Sequence, residues 1–426
     1  MQPFIAPSHS LPLNWTVDFL FPVLLKIVQN IEDVVIDPED VRMLRTLRKD
    51  RMLFFTNHPT TAEPPIAHYI GKLMGVRFKY MASRQVFDWN GGMVGKVISN
   101  LGAFSVIAGI NDRESFKAAR GALAQPEGKL VLFPEGEPTS GENDSLMPFQ
   151  GGVAQLSFWA MDDARKVDPE ADITILPAFI KYVIKATEAE SRSHLMESAA
   201  RIERKLGIDP GDKNLLRRFL TIGRVLLEQA EAEYKVPPAS KSDFDYRIGR
   251  VRHAILDQVA ERLELKNFDY KADAIMKLRQ LFAVHEMLSI GYPDEKLKPM
   301  TKDEIDWVHR QLVTAFDFIV IKKDYLVSRP TPERFYEWLA RIESYVYGKT
   351  PRALGGEPSP VPRKAYVRFA KPFKLSEYWS TDKRARKSGV EKMMKRLDKD
   401  IQGLLNECLD LSQPIVKPYD VGADPA

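Results

Sequence analysis

Residues 51–65 read RMLFFTNHPTTAEPP, where an apolar run leads directly into a histidine and a glutamate follows five positions later. A short apolar run bounded by polar residues is typical of a buried strand. Thr60 or Thr61 can cap a helix, and a negative charge at Glu63 is favoured in a first helical turn. The two prolines after Glu63 are tolerated only near a helix start. The stretch therefore predicts a strand, a turn that carries His58, and a helix that begins near Glu63.

The same alternation of short apolar runs and longer segments of helical period continues to Tyr182. In chain order the apolar runs are MLFFT, VRFKYM, AFSVI, KLVLF and ITILPAFIKYVI. Segments 64–75, 111–124 and 152–162 between them have helix-compatible composition with a turn signal at one end. This order is typical of an α/β fold, and we predict a mixed, largely parallel sheet flanked by helices.

A different pattern begins near residue 186. Long charged and apolar stretches with helical spacing, such as LLRRFLTIGRVLLEQAEAEY, continue to residue 348 without a convincing strand. The linker-like stretch KTPRALGGEPSPVPR follows, and KAYVRFAKPF then alternates like a strand. Because an isolated strand is not stable by itself, we expect it to join the first sheet, which makes the helical block an insertion.

The predicted organisation therefore has five parts. They are an N-terminal amphipathic helical segment (1–50), the first part of the α/β domain (51–185), an all-helical insertion (186–348), a closing strand and helix (364–411) and a tail (412–426). Within the N-terminal segment, the polar residues Asn14, Asp18 and Lys26 interrupt the apolar stretch 11–31. This stretch therefore does not predict a transmembrane helix. Its helical spacing fits an interfacial helix and a helix packed on the core equally well.

The composition excludes some classes of function. The net charge of +4, from 62 Lys and Arg against 58 Asp and Glu, is too small to predict nucleic-acid binding without a local cluster. The single cysteine, Cys408, cannot form an internal disulfide, and the apolar helical pattern LLNECLDL around it indicates a buried side chain. The chain is therefore expected in a reducing compartment.

His58 and Glu63 suit general base chemistry. A carboxylate that holds one ring nitrogen of a histidine fixes the tautomer and leaves the other nitrogen free to take a proton. The alternative is a histidine that caps a turn beside a solvated glutamate, and spacing alone favours this alternative.

A second segment changes that balance. Residues 130–160 read LVLFPEGEPTSGENDSLMPFQGGVAQLSFWA. A His-x4-acid block followed by Phe-Pro-Glu-Gly resembles the glycerolphosphate acyltransferase family, whose members make phospholipids from acyl thioesters and lyso-lipids. LGAFSVIAGINDRES (101–115) resembles that family's second block, and ITILPAFIKY (173–182) resembles its fourth. The resemblance covers about 11–183 and resumes at 365–411, and YPDEKL and PTPERFYEWL in the helical block resemble a bacterial branch.

The resemblance implies that His58 deprotonates an acceptor hydroxyl and that Glu63 orients His58, without a covalent acyl-enzyme. It also implies a set of substrate-binding residues: Arg113, Phe133, Pro134, Glu135 and Gly136. The acyl donor would be acyl-CoA or acyl-carrier protein, and no other cofactor is expected. Backbone amides near Gly136 or at the helix start are candidates for stabilising the oxyanion.

Three departures from the family pattern bear on the dyad and the acceptor. Glu63 stands where the family usually has Asp. Residues 137–139 read Glu-Pro-Thr instead of Thr-Arg-Ser, and Ala108 replaces an arginine of the second block. Because phosphate recognition needs a fixed cation or a helix N-terminus, a phosphate-bearing acceptor needs a substitute, for which Arg113 is the best candidate.

Other polar residues have simpler interpretations. Three cations are weaker candidates for a phosphate and are better explained as solvated charges: Lys79, Arg84 and Lys181. His285 with Glu286 lacks the second helical histidine of a zinc motif, and we predict no metal site. The closing helix carries a basic run that could form a solvated face or bind anionic lipid headgroups: Lys383, Arg384, Arg386, Lys387, Lys392, Lys395 and Arg396.

These observations predict an O-acyltransferase of phospholipid biosynthesis, cytoplasmic and peripherally bound to the inner face of the membrane. The expected acceptor is a lyso-lipid, with 1-acylglycerol-3-phosphate (lysophosphatidate) as the leading choice. One alternative is acyl transfer to another polar lipid, since the expected arginines are missing. The other is a catalytically inactive lipid-binding scaffold.

Overall fold

The structure is a computed structural model that describes residues 4–110, 112–138, 144–237, 244–348 and 359–422. The chain divides into two compact units. The first comprises Met1–Val183 with Leu354–Asp410, and the second comprises Ile184–Ala353 with Leu411–Ala426. Of the features predicted from sequence, Thr139 and most of the linker at 349–363 fall outside the described residues.

The first unit contains one sheet, in which eight strands can be described. They are β1 (Ile31–Ile36), β2 (Arg51–Thr56), β3 (Lys79–Ser83), β4 (Ala103–Val106), β5 (Lys129–Leu132), β6 (Ile173–Ile184), β7 (Arg363–Phe369) and β8 (Phe373–Lys374). Their order is β1-β7-β6-β2-β5-β3-β4, with β8 paired to β6. The β1–β7, β2–β5, β2–β6, β3–β4 and β3–β5 pairs are parallel, whereas β6–β8 is antiparallel. The predicted α/β class with a mixed, largely parallel sheet is confirmed.

Helices flank the sheet in the first unit and make up the second. They are α1 (Leu11–Gln29), α2 (Pro38–Thr46), α3 (Glu63–Met74), α4 (Met93–Asn100), α5 (Arg113–Ala124), α6 (Gly152–Val167), α7 (Glu188–Leu206), α8 (Leu215–Glu233), α9 (Phe244–Arg262), α10 (Ala274–Ser289), α11 (Lys302–Val320), α12 (Lys323–Ser328), α13 (Pro332–Tyr347) and α14 (Lys383–Cys408). Short 3-10 turns occur at Leu47–Lys49, Leu375–Glu377 and Leu409–Leu411, and within Arg84–Gly92.

β2 lies at the centre of the sheet. The side chains from Met52 to Phe55 have no exposed surface, because a central parallel strand is covered on both faces. Phe55 is in register with Pro177 of β6 on one side and with Leu132 of β5 on the other. Since parallel strands end at the same edge of a sheet, the segments that follow β2 and β5 meet at that edge.

β7 follows the helical block in sequence and lies in the sheet between β1 and β6. The first unit is therefore assembled from two segments of the chain. The strand β1, which pairs with β7, lies inside the N-terminal region that the sequence predicts as helical. β1 reads IEDVVI, and Glu32 and Asp33 break its apolar pattern. Its strand partner lies more than 300 positions away, so no local signal indicates it.

The second unit contains α7 to α13. Thr187 and Thr301 form capping boxes that begin α7 and α11. The segment predicted as a tail belongs to this unit. The amide of Ile415 donates to the carbonyl of Pro330 at 3.0 Å, and Asp420 pairs with Arg217 of α8.

α1 turns its apolar side away from the protein. Its exposed large apolar side chains are Leu11, Trp15, Phe19, Leu20, Val23, Leu24, Ile27 and Val28. Phe19 is 84% exposed, whereas Asn14 is 1% exposed. Asp18, on the same inward side, is bonded to His68 at 3.0 Å and to Arg77. The inward side therefore packs Asn14 and Asp18 on the domain together with the buried Phe21 and Leu25. The outward side is predominantly apolar, unlike that of an ordinary surface helix.

By length and composition, α1 is the one helix in the described part of the chain that could cross a membrane. Only its inward side packs on neighbours, and there Phe21 stacks on Tyr69 of α3 at 5.0 Å. At its end, Gln29 donates from Nε2 to the Thr61 hydroxyl at 3.1 Å. α1 is thus joined directly to the turn between β2 and α3.

Candidate active site

The turn after β2 is fixed to the neighbouring strand β6. β2 ends at Thr56, and the Asn57 side chain then replaces a backbone pairing group. Its Nδ2 donates to the carbonyl of Ile180 at 3.0 Å, and its Oδ1 accepts from the Ile180 amide at 2.8 Å. The next residue, His58, is therefore held at the carboxyl edge of the sheet, where α/β proteins bind their ligands.

Glu63, the first residue of α3, is fully buried and bonded to His58. His58 Nδ1 lies 2.7 Å from Glu63 Oε2. The same carboxylate accepts from the amide of Thr60 at 3.0 Å, from the hydroxyl of Thr60 at 2.8 Å and from the hydroxyl of Tyr182. These donors and the positive end of the α3 dipole hold a negative charge in one fixed place.

The geometry assigns separate tasks to the two ring nitrogens of His58. A carboxylate only accepts hydrogen bonds, so Nδ1 is the donor and Nε2 carries the free lone pair. In the described part of the chain nothing bonds to Nε2, and the side chain is 14% exposed. The extra methylene of Glu63 relative to Asp does not prevent contact, because Glu63 reaches Nδ1 from the helix start. This geometry suits a general base with its orienting acid.

Tyr182 is a member of this site that the sequence does not single out. Its hydroxyl donates to Glu63, and burial together with the Glu63 charge raises its pKa well above the usual value, so it stays a donor. The guanidinium of Arg363 lies 4.8 Å from the centre of its ring. The sequence signal that could have identified Tyr182 is its place at the end of the apolar run 173–182. A tyrosine buried there needs a hydrogen-bond partner for its hydroxyl.

The segment after β5 meets His58 at the same edge. The ring of Phe133 stacks on the imidazole of His58, with centroids 4.1 Å apart and planes 21° apart. Pro134 and Glu135, the next two residues, are buried, and Gly136 is exposed. The structure therefore brings six of the predicted residues together at this edge: His58, Glu63, Phe133, Pro134, Glu135 and Gly136.

Glu135 contacts the protein backbone. Its carboxylate accepts from the amide of His58 at 2.8 Å and from the amide of Met147 at 2.7 Å. Burial raises the pKa of Glu135 to about 7. The side chain thus ties the turn after β2 to the segment after β5.

Gly136 is required by its conformation and its neighbour. Its φ of 84° lies in the left-handed region, and an added Cβ would lie 1.8 Å from Nε2 of Gln150. That amide nitrogen donates to the carbonyl of Glu135 at 3.2 Å and to Glu137 at 3.1 Å. A side chain at position 136 would displace Gln150 from both bonds.

Two backbone amides near the imidazole are already engaged. The amide of His58 donates to Glu135, and the amide of Gly136 donates to the carbonyl of Phe133 at 3.0 Å in the turn. The amide of Gly136, which the sequence offers as an oxyanion donor, is free for that role only if this turn opens.

Arg113 begins α5, directly after Asp112, whose side chain caps the helix. Its exposed side chain lines a surface groove with Phe116 of α5 and Trp159 of α6. The lining of this groove includes neither the His58–Glu63 pair nor residues 133–136.

The weaker phosphate candidates all have partners, and two of them, Arg84 and Lys181, are buried, contrary to their interpretation as solvated charges. The pairs are Lys79 with His9 at 2.5 Å, Arg84 with Asp88 at 2.8 Å, and Lys181 with Asp144. Lys181 has no exposed surface. Burial of a cation requires a partner of opposite charge, which apolar patterning cannot reveal.

The closing helix α14 divides its cations between two uses. Arg386 pairs with Asp162 of α6 at 2.6 Å, and Arg396 pairs with Asp400 at 2.6 Å. Four others are exposed: Arg384, Lys387, Lys392 and Lys395.

In the second unit, His285 lies beside His309, with ring centroids 5.1 Å apart. The part of the chain that the structure describes holds no group of three or more potential metal ligands.

Comparison with protein families gives one match. Residues 35–181 match the family model described as Acyltransferase. This range includes β2, α3 and the turn after β5, and so every residue predicted for the site. No curated protein matches the chain.

Proposed function

Residues 35–181 are an acyltransferase domain of the glycerolphosphate acyltransferase family, and from this premise we propose that the protein transfers a fatty acyl group from an acyl thioester to a lyso-lipid hydroxyl. The donor is acyl-CoA or acyl-carrier protein. The observation that carries the proposal is the 2.7 Å contact between His58 and a fully buried Glu63, beside the turn at 133–136.

The reaction follows from the free lone pair on Nε2 of His58. Nε2 takes the proton of the acceptor hydroxyl while the hydroxyl oxygen forms a bond to the thioester carbonyl carbon. Glu63 stabilises the imidazolium that results. The tetrahedral intermediate then expels the thiolate, which takes the proton from His58, so the products are the ester and the free thiol. Every proton is accounted for without a covalent acyl-enzyme.

The leading acceptor is 1-acylglycerol-3-phosphate. Arg113, an exposed cation at the start of α5, supports a phosphate-bearing acceptor. One observation favours the alternative of another polar lipid: Arg84 and Lys181, two further candidates for the phosphate, are already bonded to carboxylates. The relative rates of transfer to 1-acylglycerol-3-phosphate and to other polar lipids therefore decide between the two acceptors.

We further propose that the protein works in the cytoplasm at the inner face of the membrane, as a peripheral protein. The exposed apolar outer face of α1 supports an interfacial position for this helix. The exposed cations of α14 support attraction to anionic headgroups. Through Gln29 and Thr61, α1 is bonded to the turn that carries His58, which suits an acceptor drawn from the membrane.

The test is an acyl-transfer assay with the purified full-length protein. Oleoyl-CoA is offered with 1-oleoylglycerol-3-phosphate, lysophosphatidylethanolamine, lysophosphatidylcholine and mono-oleoylglycerol, and free thiol and product lipid are both measured. The proposal predicts transfer to the phosphate monoester, at a rate that His58→Ala lowers about 1,000-fold. Strict preference for a phosphate-free acceptor supports the alternative acceptor. Absence of transfer to every acceptor supports an inactive lipid-binding protein.

A further inference from the structure

The helical second unit contains a cavity of its own. Residues of α8, α9, α11 and α13 line it, and its cavity volume is about 80 Å³, within about 780 Å³ of space that includes the solvent at its mouth. The lining is mainly aliphatic and aromatic, as in Leu220, Leu227, Phe244, Ile248, Phe318 and Ile342. A long apolar chain is the ligand that such a lining accommodates best.

The charged residues of the lining are mostly cations. Among the lining residues that the structure describes, Arg224, Lys323 and Arg341 carry positive charge, and Asp317 carries the single negative charge. Arg341 Nε lies 3.3 Å from Asp317 Oδ1, so these two charges compensate each other. The ammonium of Lys323 lies 4.9 Å from the ring centre of Phe244. The remaining positive charge of Arg224 and Lys323 favours an anion at the cavity.

Two donors at the cavity lack an acceptor in the described part of the chain. Trp338 is 4% exposed, and its indole Nε1 is buried without a hydrogen-bond partner. The Nε of Arg224 is buried and unpartnered in the same way. A buried donor without an acceptor destabilises the fold, and native proteins contain few of them. Two such donors lining one apolar cavity indicate that the missing acceptor belongs to a ligand.

We propose that this cavity binds a lipid with a single acyl chain and an anionic headgroup, either a carboxylate or a phosphate. The chain lies among the apolar residues, and the headgroup accepts from Arg224 and from the indole of Trp338. An uncharged lipid leaves Arg224 without a counter-charge, and a compact polar anion leaves the apolar lining wet. All residues involved belong to the second unit, so the site does not depend on the chemistry proposed for His58.

The probe is 9,10-dibromostearate, whose bromines quench the fluorescence of a nearby tryptophan. Titration of the full-length protein is compared with titration of Trp338→Phe, and the difference reports this cavity alone. We expect saturable quenching of Trp338. The substitution Gly223→Leu introduces a side chain into the cavity from α8 and should abolish this quenching. Arg224→Ala should raise the Kd about tenfold, the effect of losing one charge-assisted hydrogen bond.

Arg204→Ala, an exposed arginine of α7, is the matched control and should leave the Kd unchanged. Competition with oleate and with 1-oleoylglycerol-3-phosphate identifies the headgroup, and mono-oleoylglycerol should compete at least tenfold more weakly than either. Circular dichroism establishes that each variant is folded. The proposal is overturned if Trp338 is not quenched, if Arg224→Ala binds the probe as wild type does, or if mono-oleoylglycerol competes equally.

Discussion

The turns after β2 and β5 both place a glutamate at the carboxyl edge of the sheet, but the two carboxylates have different partners. Glu63 accepts from an imidazole, a phenol and a threonine. Glu135 accepts from the backbone amides of His58 and Met147. One carboxylate orients the imidazole of His58, and the other fixes the backbone that carries this ring.

The difference shows how a site divides chemistry from positioning. A carboxylate bonded to side chains can set the tautomer and charge of a base. A carboxylate bonded to backbone amides links two loops and does not change the protonation of the imidazole. Loss of the first should therefore lower the rate, and loss of the second should act on loop geometry, stability and pH dependence.

The largest expected effect comes from removing the base. His58→Ala should lower kcat by about 1,000-fold, because a general base contributes roughly 100- to 10,000-fold. Initial rates of thiol release with saturating acceptor measure it. His9→Ala, an exposed histidine, should retain wild-type activity. Unchanged kcat in His58→Ala would remove the base from the mechanism.

The next effect comes from the acid that orients the base. Glu63→Gln keeps the shape but loses one acceptor oxygen and the charge, and we expect kcat to fall about 100-fold. Glu63→Asp keeps the charge on a shorter side chain and should cost about tenfold. The ratio of the two rates measures how much of the effect belongs to charge. A Glu63→Gln enzyme within twofold of wild type would show that Glu63 is not the orienting acid.

A smaller effect should follow from disturbing the turn after β5. Gly136→Ala places a side chain at φ 84° and displaces Gln150, so the free energy of unfolding should fall by about 1–3 kcal/mol. Urea unfolding measures it. Gly121→Ala in α5, where an added Cβ meets nothing within 4 Å, should raise stability by about 0.5–1 kcal/mol. Equal stability of the two variants would contradict the assigned role of Gly136.

The smallest expected effect concerns pH. Burial raises the pKa of Glu135 from 4.5 to about 7, so the folded protein keeps a proton that the unfolded chain has released between these values. The stability that this group contributes is present below pH 4.5 and is lost as pH rises to about 7. Urea unfolding at pH 5 and pH 7.5 should show this loss in wild type and in the control Glu391→Gln, but not in Glu135→Gln. The same loss of unfolding free energy from pH 5 to pH 7.5 in Glu135→Gln as in wild type would contradict this prediction.

Much of the fold could be predicted because apolar periodicity reports secondary structure directly. MLFFT and ITILPAFIKYVI are β2 and β6 because central strands are apolar on both faces. The same signal fails where the partner is distant, as for β1. It also fails for α1, because period 3.6 defines an apolar face but not whether that face meets the core or the outside. That direction depends on where Asn14 and Asp18 find partners.

The site was predictable to the level of motifs. His58 and Glu63 follow a strand at a spacing that permits contact, and family resemblance supplied the turn at 133–136. Tyr182 and the amide bonds of Glu135 were not predictable, because both depend on how three parallel strands bring their ends together. Arg113 was predicted for the same site, and the structure places it in the lining of the groove formed with α5 and α6, so its part in the site stays a prediction.

The most direct test of the central claim is the tautomer of His58 in solution. Long-range ¹⁵N–¹H NMR of histidine-labelled protein reports it, with the His58 signals identified by their absence in His58→Ala. The structure predicts a protonated Nδ1 and a free Nε2 in wild type and in Glu135→Gln, with that preference lost in Glu63→Gln. A protonated Nε2 in the neutral ring of the wild-type protein would contradict the role of His58 as the base.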